Sequence, residues 1–423
     1  MFALAARRTW SYIGEAFVLQ VVAVVLLLLL HSFLTNLLGA EQYGIINYAI
    51  IVASLLSLVT SLGLPNATLK IVAEYNENHL WGLLKGILIR SFQLILLVSV
   101  AVGLLMILVS HNLPLSSDLV ESITYAALFL PFTALGLWRA KAIRGLHRIR
   151  ESILPEEIVK PIVFLVMCLL FLLLGTKLLA SHAAYLYVLA SFLSLVLGVW
   201  WLIQYMPQTS TSAVTQFDTM RWTKTSIPMM QADILQALMN RADVLLLGVL
   251  VGMELTGIYS VAARIALLNV FVLKVIDIVV APQIAASFHT GDRRKTQQII
   301  KKGIIFSTVG AAPLFLLMIL VPEMLLGIFG AEFRGGADVL RILAVGQLIN
   351  AMTGPVGHSL LMTGHERLFA KVVTLFAVFN LLANTVAIML WGMMGAAIAT
   401  TLSVAGMNIM LTFFMRQKIY SCI

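Results

Sequence analysis

The sequence predicts an all-α polytopic membrane protein, with about twelve transmembrane helices in two parallel-repeat six-helix bundles around a central cavity. Three observations predict it. Of the 423 residues, 61% are hydrophobic and 11% charged, and the mean hydropathy is +0.99. Soluble domains sit near half apolar and a quarter charged. Many apolar runs exceed the roughly 18–20 residues that cross about 30 Å of hydrocarbon. Runs such as "FVLQVVAVVLLLLL" and "VFLVMCLLFLLL" do not alternate as barrel strands do, so the backbone must be satisfied within helices.

The elements follow in order. Span one, 15–37, comes after Arg7 and Arg8. Its apolar run is too long for a cleavable leader and no small-residue cleavage site follows, so it reads as a retained anchor. Span two is 44–64, after "LGAEQYG"; spans three and four, 87–110 and 120–138, are separated by the polar "SHNLPLSSD". Spans five and six, 158–175 and 183–205, flank "GTKLLAS". Spans seven and eight are 227–250 and 257–280; nine and ten are 300–321 and 338–361; eleven and twelve are 370–391 and 393–415.

The net charge of +9 is first an orientation signal. With the N-terminus inside, 22 of the 28 basic residues fall in inside segments, in runs such as "RAKAIRGLHRIR" and "GDRRKTQQIIKKG". Lys177, Arg334 and Arg341 fall outside, and Arg241, Arg264 and Lys274 lie within spans. This asymmetry puts both termini in the cytoplasm. The basic runs then touch anionic headgroups or gather an anionic substrate, and nucleic acid is not an expected partner. Cys168 and Cys422 offer neither zinc spacing nor a disulfide framework.

Residues 1–206 form the expected N-terminal bundle, 207–226 a Ser/Thr-rich cytoplasmic linker, and 227–423 the C-terminal bundle. An internal repeat supports the division. "LGAEQYGIINYA" and "VGMELTGIYSVA" share Gly39/Gly252, Glu41/Glu254, Gly44/Gly257, Ile45/Ile258 and Ala49/Ala262 at a constant offset of 213. "RGLHR" and "TGHER" align Gly145 with Gly364 and Arg148 with Arg367 at offset 219. Both offsets span six helices. The halves therefore run in one direction, related by a pseudo-two-fold along the membrane normal. Such bundles suit alternating access.

Span seven raises the central question, because "QALMNRADVLLLGVLVG" puts charges in an apolar helix. Asp233, Gln236, Asn240 and Asp243 share an arc of about 80° at 100° per residue, with Arg241 on its flank. Span eight adds Arg264, Asn269, Lys274 and Asp277. Each ionised group at mid-membrane costs about 2.5–3.5 kcal/mol on insertion scales. These groups must therefore meet water or one another. One reading is an ion-pair network, such as Asp243 with Arg264, holding spans seven and eight together. The other is a wet, partly cationic cavity for an anionic or sugar-bearing substrate, since arginine's planar fork matches phosphate. Candidate cavity residues are Arg241, Arg264, Lys274, Asp233, Asp243, Asp277 and Asn240.

Weaker candidates have plainer roles. His31 and His358 read as helix–helix hydrogen bonds or as titrating groups, Glu15 and Lys160 as interface residues, and Asn350, Asn380, Asn384 and Asn408 as interhelical glue. "NAT" at 66–68 matches a glycosylation sequon but falls inside. Pro131, Pro161, Pro282, Pro313 and Pro355 interrupt or begin spans. HExxH, P-loop and GxSxG motifs are absent, so no catalytic residue, metal or cofactor is expected.

Three stretches carry a family resemblance: "FLTNLLGAEQYGIINYA", "NRADVLLLGVLVGMELTGIYSVAARI" and "LLGIFGAEFRGGADVLRILA", the last with Phe329, Gly330 and Phe333. In order and at these spans they resemble the Wzx-type polysaccharide flippases, of the superfamily that also holds multidrug MATE exporters and lipid II flippases. The resemblance implies a non-enzymatic flippase of the bacterial inner membrane. It would carry undecaprenyl-pyrophosphate-linked oligosaccharide for O-antigen, capsule or exopolysaccharide assembly, with a polysaccharide polymerase and a chain-length regulator as possible partners. The alternatives are a MATE-like ion-coupled antiporter and a non-transporting scaffold of the assembly complex.

Overall fold

The computed structural model describes residues 2–114, 117–209 and 213–420, and their side chains except those of 2–17, 232, 278, 282, 289 and 420. The side chains of Arg7, Arg8, Glu15 and Pro282, named above, lie outside the described set, as does Cys422. Among the described residues the chain is helical, without strands. The helices are α1 (Phe2–Thr60), α2 (Leu64–Glu77), α3 (Trp81–Asn112), α4 (Ser117–Gly145), α5 (Ile149–Leu154) and α6 (Lys160–Leu173), the last two joined by a π turn, Pro155–Val159. They continue as α7 (Ala180–Tyr205), α8 (Thr219–Leu250), α9 (Met253–Ala266), α10 (Leu268–His289), α11 (Arg293–Leu320), α12 (Pro322–Gly327), α13 (Ala337–Thr353), α14 (Val356–Met362) and α15 (Glu366–Met415). A 3-10 turn, Ala331–Gly336, precedes α13.

Eight stretches are long and apolar enough to cross a membrane. Gly39 breaks α1 at φ 73 and Gly392 breaks α15 at φ 55, so each of these helices holds two passes. The α5–α6 helix and the charge-bearing α8 bring the passes among described residues to the expected twelve. The chain is thus a multi-pass membrane protein. Glycine stands at these breaks because positive φ strains any residue with a Cβ. Gly252 and Gly330 turn the chain likewise, at φ 121 and 127.

Contacts gather the chain into two compact units, Met1–Leu38 with Ile45–Ala237, and Gly39–Gly44 with Leu238–Ile423. The seam lies inside α8, and the six residues Gly39–Gly44 go with the second unit.

The first unit packs α2, α3, α4 and α7 around Ile71, Tyr75, Leu84, Ile87, Leu135, Trp138 and Leu202. Buried indoles find partners, as they must: Trp138 Nε1 donates to Ser91 Oγ at 2.7 Å, and Trp222 Nε1 to Tyr75 Oη at 3.1 Å. Trp222 pins the segment expected to be a linker. Gln216 N donates to Gly82 O at 3.0 Å, and a Cβ on Gly86 would collide with the Gln216 carbonyl. Arg221 bonds Glu74 at 2.7 and 2.9 Å, and those bonds hold its pKa above the ordinary arginine value. Residues 213–222 are therefore strapped along α3 and α2.

Arg139, expected in a headgroup-facing run, is instead fully buried against Gly198. It reaches Glu156 at 3.4 Å, and Glu156 reaches Lys160 at 2.7 Å. Lys160, expected at the interface, completes this triad and stands 5.6 Å from the Tyr187 ring centroid. Gly136 and Gly198 leave room for the charged side chains, because a Cβ on either would strike Glu156 or Arg139.

In the second unit the two copies of the repeat meet. A Cβ on Gly44 would collide with the Met253 carbonyl, and one on Gly257 with the Ala40 carbonyl. Ala40 and Met253 are themselves related by the repeat offset of 213. The crossing is thus a pseudo-symmetric backbone contact that only glycines permit. Glu332 Oε2 accepts the Ala40 N–H at 2.8 Å, satisfying a donor at the start of the second pass. The other end of this unit packs Val280, Ile284, Ile300, Val356, Leu360, Val372 and Leu411. The second sequence echo has two different causes. Gly364 turns the chain at φ 79, whereas Gly145 is helical and admits Leu69 O and Val72 at 3.0 Å; the left-handed residue there is His147.

Candidate functional site

The helical arc on α8 is divided between the units. Asp233 lies in the first, where the Asn66 amide donates to both its oxygens at 2.8 and 3.0 Å and Lys141 of α4 acts on it electrostatically. The Asn66 of the sequon-like triplet is thus engaged within the unit. Asn240, Arg241 and Asp243 lie in the second unit, where Asn240 and Arg241 are exposed and Asp243 is buried.

Asp243 is held by protein donors. Its Oδ2 accepts from Tyr259 Oη at 2.6 Å and from Thr400 Oγ1 at 3.4 Å, and its Oδ1 accepts from Val244 N at 2.8 Å. Asn384 Nδ2 donates to Asn380 O at 2.9 Å and lies 3.4 Å from Thr400 Oγ1. A polar chain of Asn384, Thr400, Asp243 and Tyr259 therefore ties both passes of α15 to α8 and α9. Several donors share the charge of one buried carboxylate, which keeps it tolerable in a low-dielectric interior. Arg241 acts electrostatically on Asp243.

Arg264, half-buried on α9, hydrogen-bonds Tyr43. Tyr43 is fully buried and packs edge-on against Phe333 with centroids 6.0 Å apart. Arg241 acts electrostatically on both Arg264 and Tyr43. Arg241 thus couples electrostatically to both Asp243 and Arg264, and Asp243 is already well supplied with donors. The positive charge is in excess, which suits a doubly charged phosphate headgroup.

The remaining candidates stand apart. Lys274 is exposed on α10. Asp277 Oδ2 lies 3.3 Å from His358 Nδ1 of α14. Asn269 is buried and donates to Met318 Sδ at 3.5 Å. His31 is half-buried on α1. The asparagines act locally: Asn350 bonds Gln347 at 3.3 Å and Asn408 bonds Val404 O at 2.9 Å. The seven candidates therefore fall into an Asp233 contact, an Arg241–Asp243–Arg264 cluster, an Asp277–His358 pair and the exposed Asn240 and Lys274. Tyr43, Tyr259 and Thr400 escaped the sequence reading. The first two lie in or beside the repeat, and the third is an ordinary helix threonine with no local signal. Among the described residues no group of three or more His, Cys, Asp or Glu could hold a metal ion.

Comparison with known proteins agrees with this architecture. A family model described as polysaccharide biosynthesis protein matches residues 10–288, and one described as MatE matches residues 228–386. The chain is similar to two Haloferax volcanii proteins. "Probable low-salt glycan biosynthesis flippase Agl15" is 27% identical over 164 residues, covering 38% of this chain and 35% of that protein. "Probable flippase AglR" is 30% identical over 165 residues, covering 38% and 34%. The chain thus aligns with about a third of the length of these curated relatives. Among solved structures it resembles an inward-facing multidrug resistance MATE family transporter of the MOP superfamily, with TM-score 0.77, 13% identity and 94% of each chain covered. It also resembles the lipid II flippase MurJ in an inward closed conformation, with TM-score 0.71, 11% identity, and 96% of this chain and 87% of that one covered. At these identities the structural likeness is one of fold.

Proposed function

Because the chain belongs to the polysaccharide biosynthesis protein family, we propose that it is a flippase. In this reading it carries an undecaprenyl-pyrophosphate-linked oligosaccharide across a bacterial inner membrane by alternating access, with both termini cytoplasmic. The observation that carries the reading is the Arg241–Arg264 cluster in the second unit, read together with the family match and the flippase names of the relatives.

The polyprenyl tail needs no help in hydrocarbon; the charged headgroup does. Arg241 and Arg264 offset its desolvation with charge-assisted hydrogen bonds, each worth about 1.5–3 kcal/mol. Asp243 steadies Arg241 without fully neutralising it, because Tyr259, Thr400 and Val244 already engage its oxygens. Asp233 steadies the first half of α8 through Asn66. The basic inside segments set the orientation.

The test is complementation of a strain that lacks its own flippase. Arg241→Gln and Arg264→Gln should each lower surface glycan about 10–100-fold while the protein still reaches the membrane. Wild-type glycan output from the doubly substituted protein overturns the role of the arginines.

A second reading is favoured by the MatE match over residues 228–386: an ion-coupled exporter of small molecules. It requires drug efflux that depends on an ion gradient and on Asp243, with glycan assembly unaffected.

A further inference from the structure

The Asp277–His358 pair, midway along α10, is constructed unlike the other charges. Asp277 is 13% exposed and His358 47%, so the acid is nearly sealed and the imidazole reaches its surroundings. Asp277 Oδ1 is buried and has no hydrogen-bond partner among the described residues. A carboxylate left with an unsatisfied oxygen in a low-dielectric setting is costly. A proton on the neighbouring imidazole turns it into a neutral pair. The pair bridges α10 to α14, a helix of seven residues.

The backbone beside His358 is articulated. α13 ends at Gly354, with φ 65, and Pro355 follows, leaving α14 as a separate helix. Pro355 rests on Gly303 of α11, where a Cβ would come within 2.9 Å. α14 therefore hangs between a glycine break and the α10 contact.

Among other titratable groups on the surrounding elements, His365 follows α14 and its Nδ1 lies 3.1 Å from Thr363 Oγ1. Lys274 lies one turn earlier on α10 and is exposed, as are Lys301 and Lys302 of α11. Glu366, Arg367 and Lys371 of α15 are exposed as well, and so is Glu254 of α9. Asp338 and Arg341, at the far end of α13, pair with each other at 2.6 Å, and Arg264 of α9 bonds Tyr43. Among the described residues none of these forms an ion pair with Asp277 or His358.

We propose that Asp277 and His358 form a proton-binding site: the protonated pair clamps α14 to α10, and release of its proton frees α14 to move. On uptake, water delivers one proton to the imidazole. Nδ1–H then donates to Asp277 Oδ2, and the pair carries no net charge. On release the same proton returns to water through the exposed imidazole, leaving one negative charge on Asp277. The role of this step in driving transport rests on the flippase reading; the protonation and the clamp do not.

The test needs no substrate. The full chain is placed in nanodiscs of phosphatidylethanolamine and phosphatidylglycerol, and amide hydrogen exchange of residues 356–362 is followed from about pH 5 to 9 across the histidine range, corrected for intrinsic rates. Protection in wild type should fall about 10–100-fold as pH rises. Asp277→Asn should be weakly protected throughout. His358→Gln keeps a donor but no titrating proton, so its profile should be flat, and it serves if Asp277→Asn does not fold. An unchanged wild-type pH profile in His358→Gln overturns the proposal. So does wild-type protection that follows sodium against potassium at fixed pH. Either failure leaves the flippase reading intact, because no glycan is measured.

Discussion

The glycine crossing in the second unit allows a sharp test of the repeat. Gly44 and Gly257 face carbonyls of the opposite repeat copy, and a methyl on either would overlap Met253 O or Ala40 O outright. In an open helix, Gly→Ala would stabilise by about 1 kcal/mol. Here the overlap forces the helices apart, and overpacking of this kind costs about 1–3 kcal/mol. Taking the upper end because the obstruction is backbone, each single substitution should destabilise by about 2 kcal/mol net. Both methyls act on one crossing, so once the helices have parted the second has room. Gly44→Ala with Gly257→Ala should cost no more than either alone, about 1 kcal/mol once the second methyl also gains helix propensity, a coupling of about 3 kcal/mol. Reversible unfolding in mixed micelles, followed by tryptophan fluorescence, gives the free energies. Gly335, with nothing within 4 Å of an added Cβ, is the control and should change by less than about 0.5 kcal/mol. Additive costs, or stabilisation by either single variant, would refute the pseudo-symmetric crossing.

Three other outcomes follow from named contacts. Tyr259→Phe removes the 2.6 Å donor to buried Asp243 and should cost about 1.5–3 kcal/mol in the same unfolding assay, with most of that recovered when Asp243→Asn is added. Arg139→Met leaves Glu156 with Lys160 as its remaining ion-pair partner and should cost about 3–5 kcal/mol, whereas Arg139→Met with Glu156→Gln should cost much less. Gly86→Ala should lift the Gln216 carbonyl off α3 and speed proteinase K cleavage at residues 206–218 several-fold, with unchanged cleavage counting against the strap.

Most of the architecture was legible because the bilayer imposes it. Twelve passes follow from run length, and the paired glycines of the repeat mark breaks that structure and sequence share. Gly39 and Gly252 both take positive φ, so matched residues here mean matched backbone. Gly145 and Gly364 show the limit of that inference, since one glycine serves packing and the other a turn. The charged arc on α8 was visible, but helical periodicity cannot say which residues pack on which neighbours. Asp233 went to Asn66 and Asp243 to Tyr259, 167 and 16 residues away in sequence. Arg139 shows the same gap. Its flanking sequence is a basic cytoplasmic run, and only Gly136 and Gly198, on two helices, reveal the pocket that buries it.

Under the proposed function, two arginines of the second unit carry a phosphate-bearing headgroup through the bilayer. The most direct measurement is the initial rate at which purified protein, reconstituted in vesicles, translocates undecaprenyl-pyrophosphate-linked oligosaccharide, scored by access of the sugar to an added lectin. Arg241→Gln with Arg264→Gln should slow that rate by about a hundredfold or more, from two lost charge-assisted bonds, with the protein folded and inserted. A doubly substituted protein that translocates at the wild-type rate contradicts the claim.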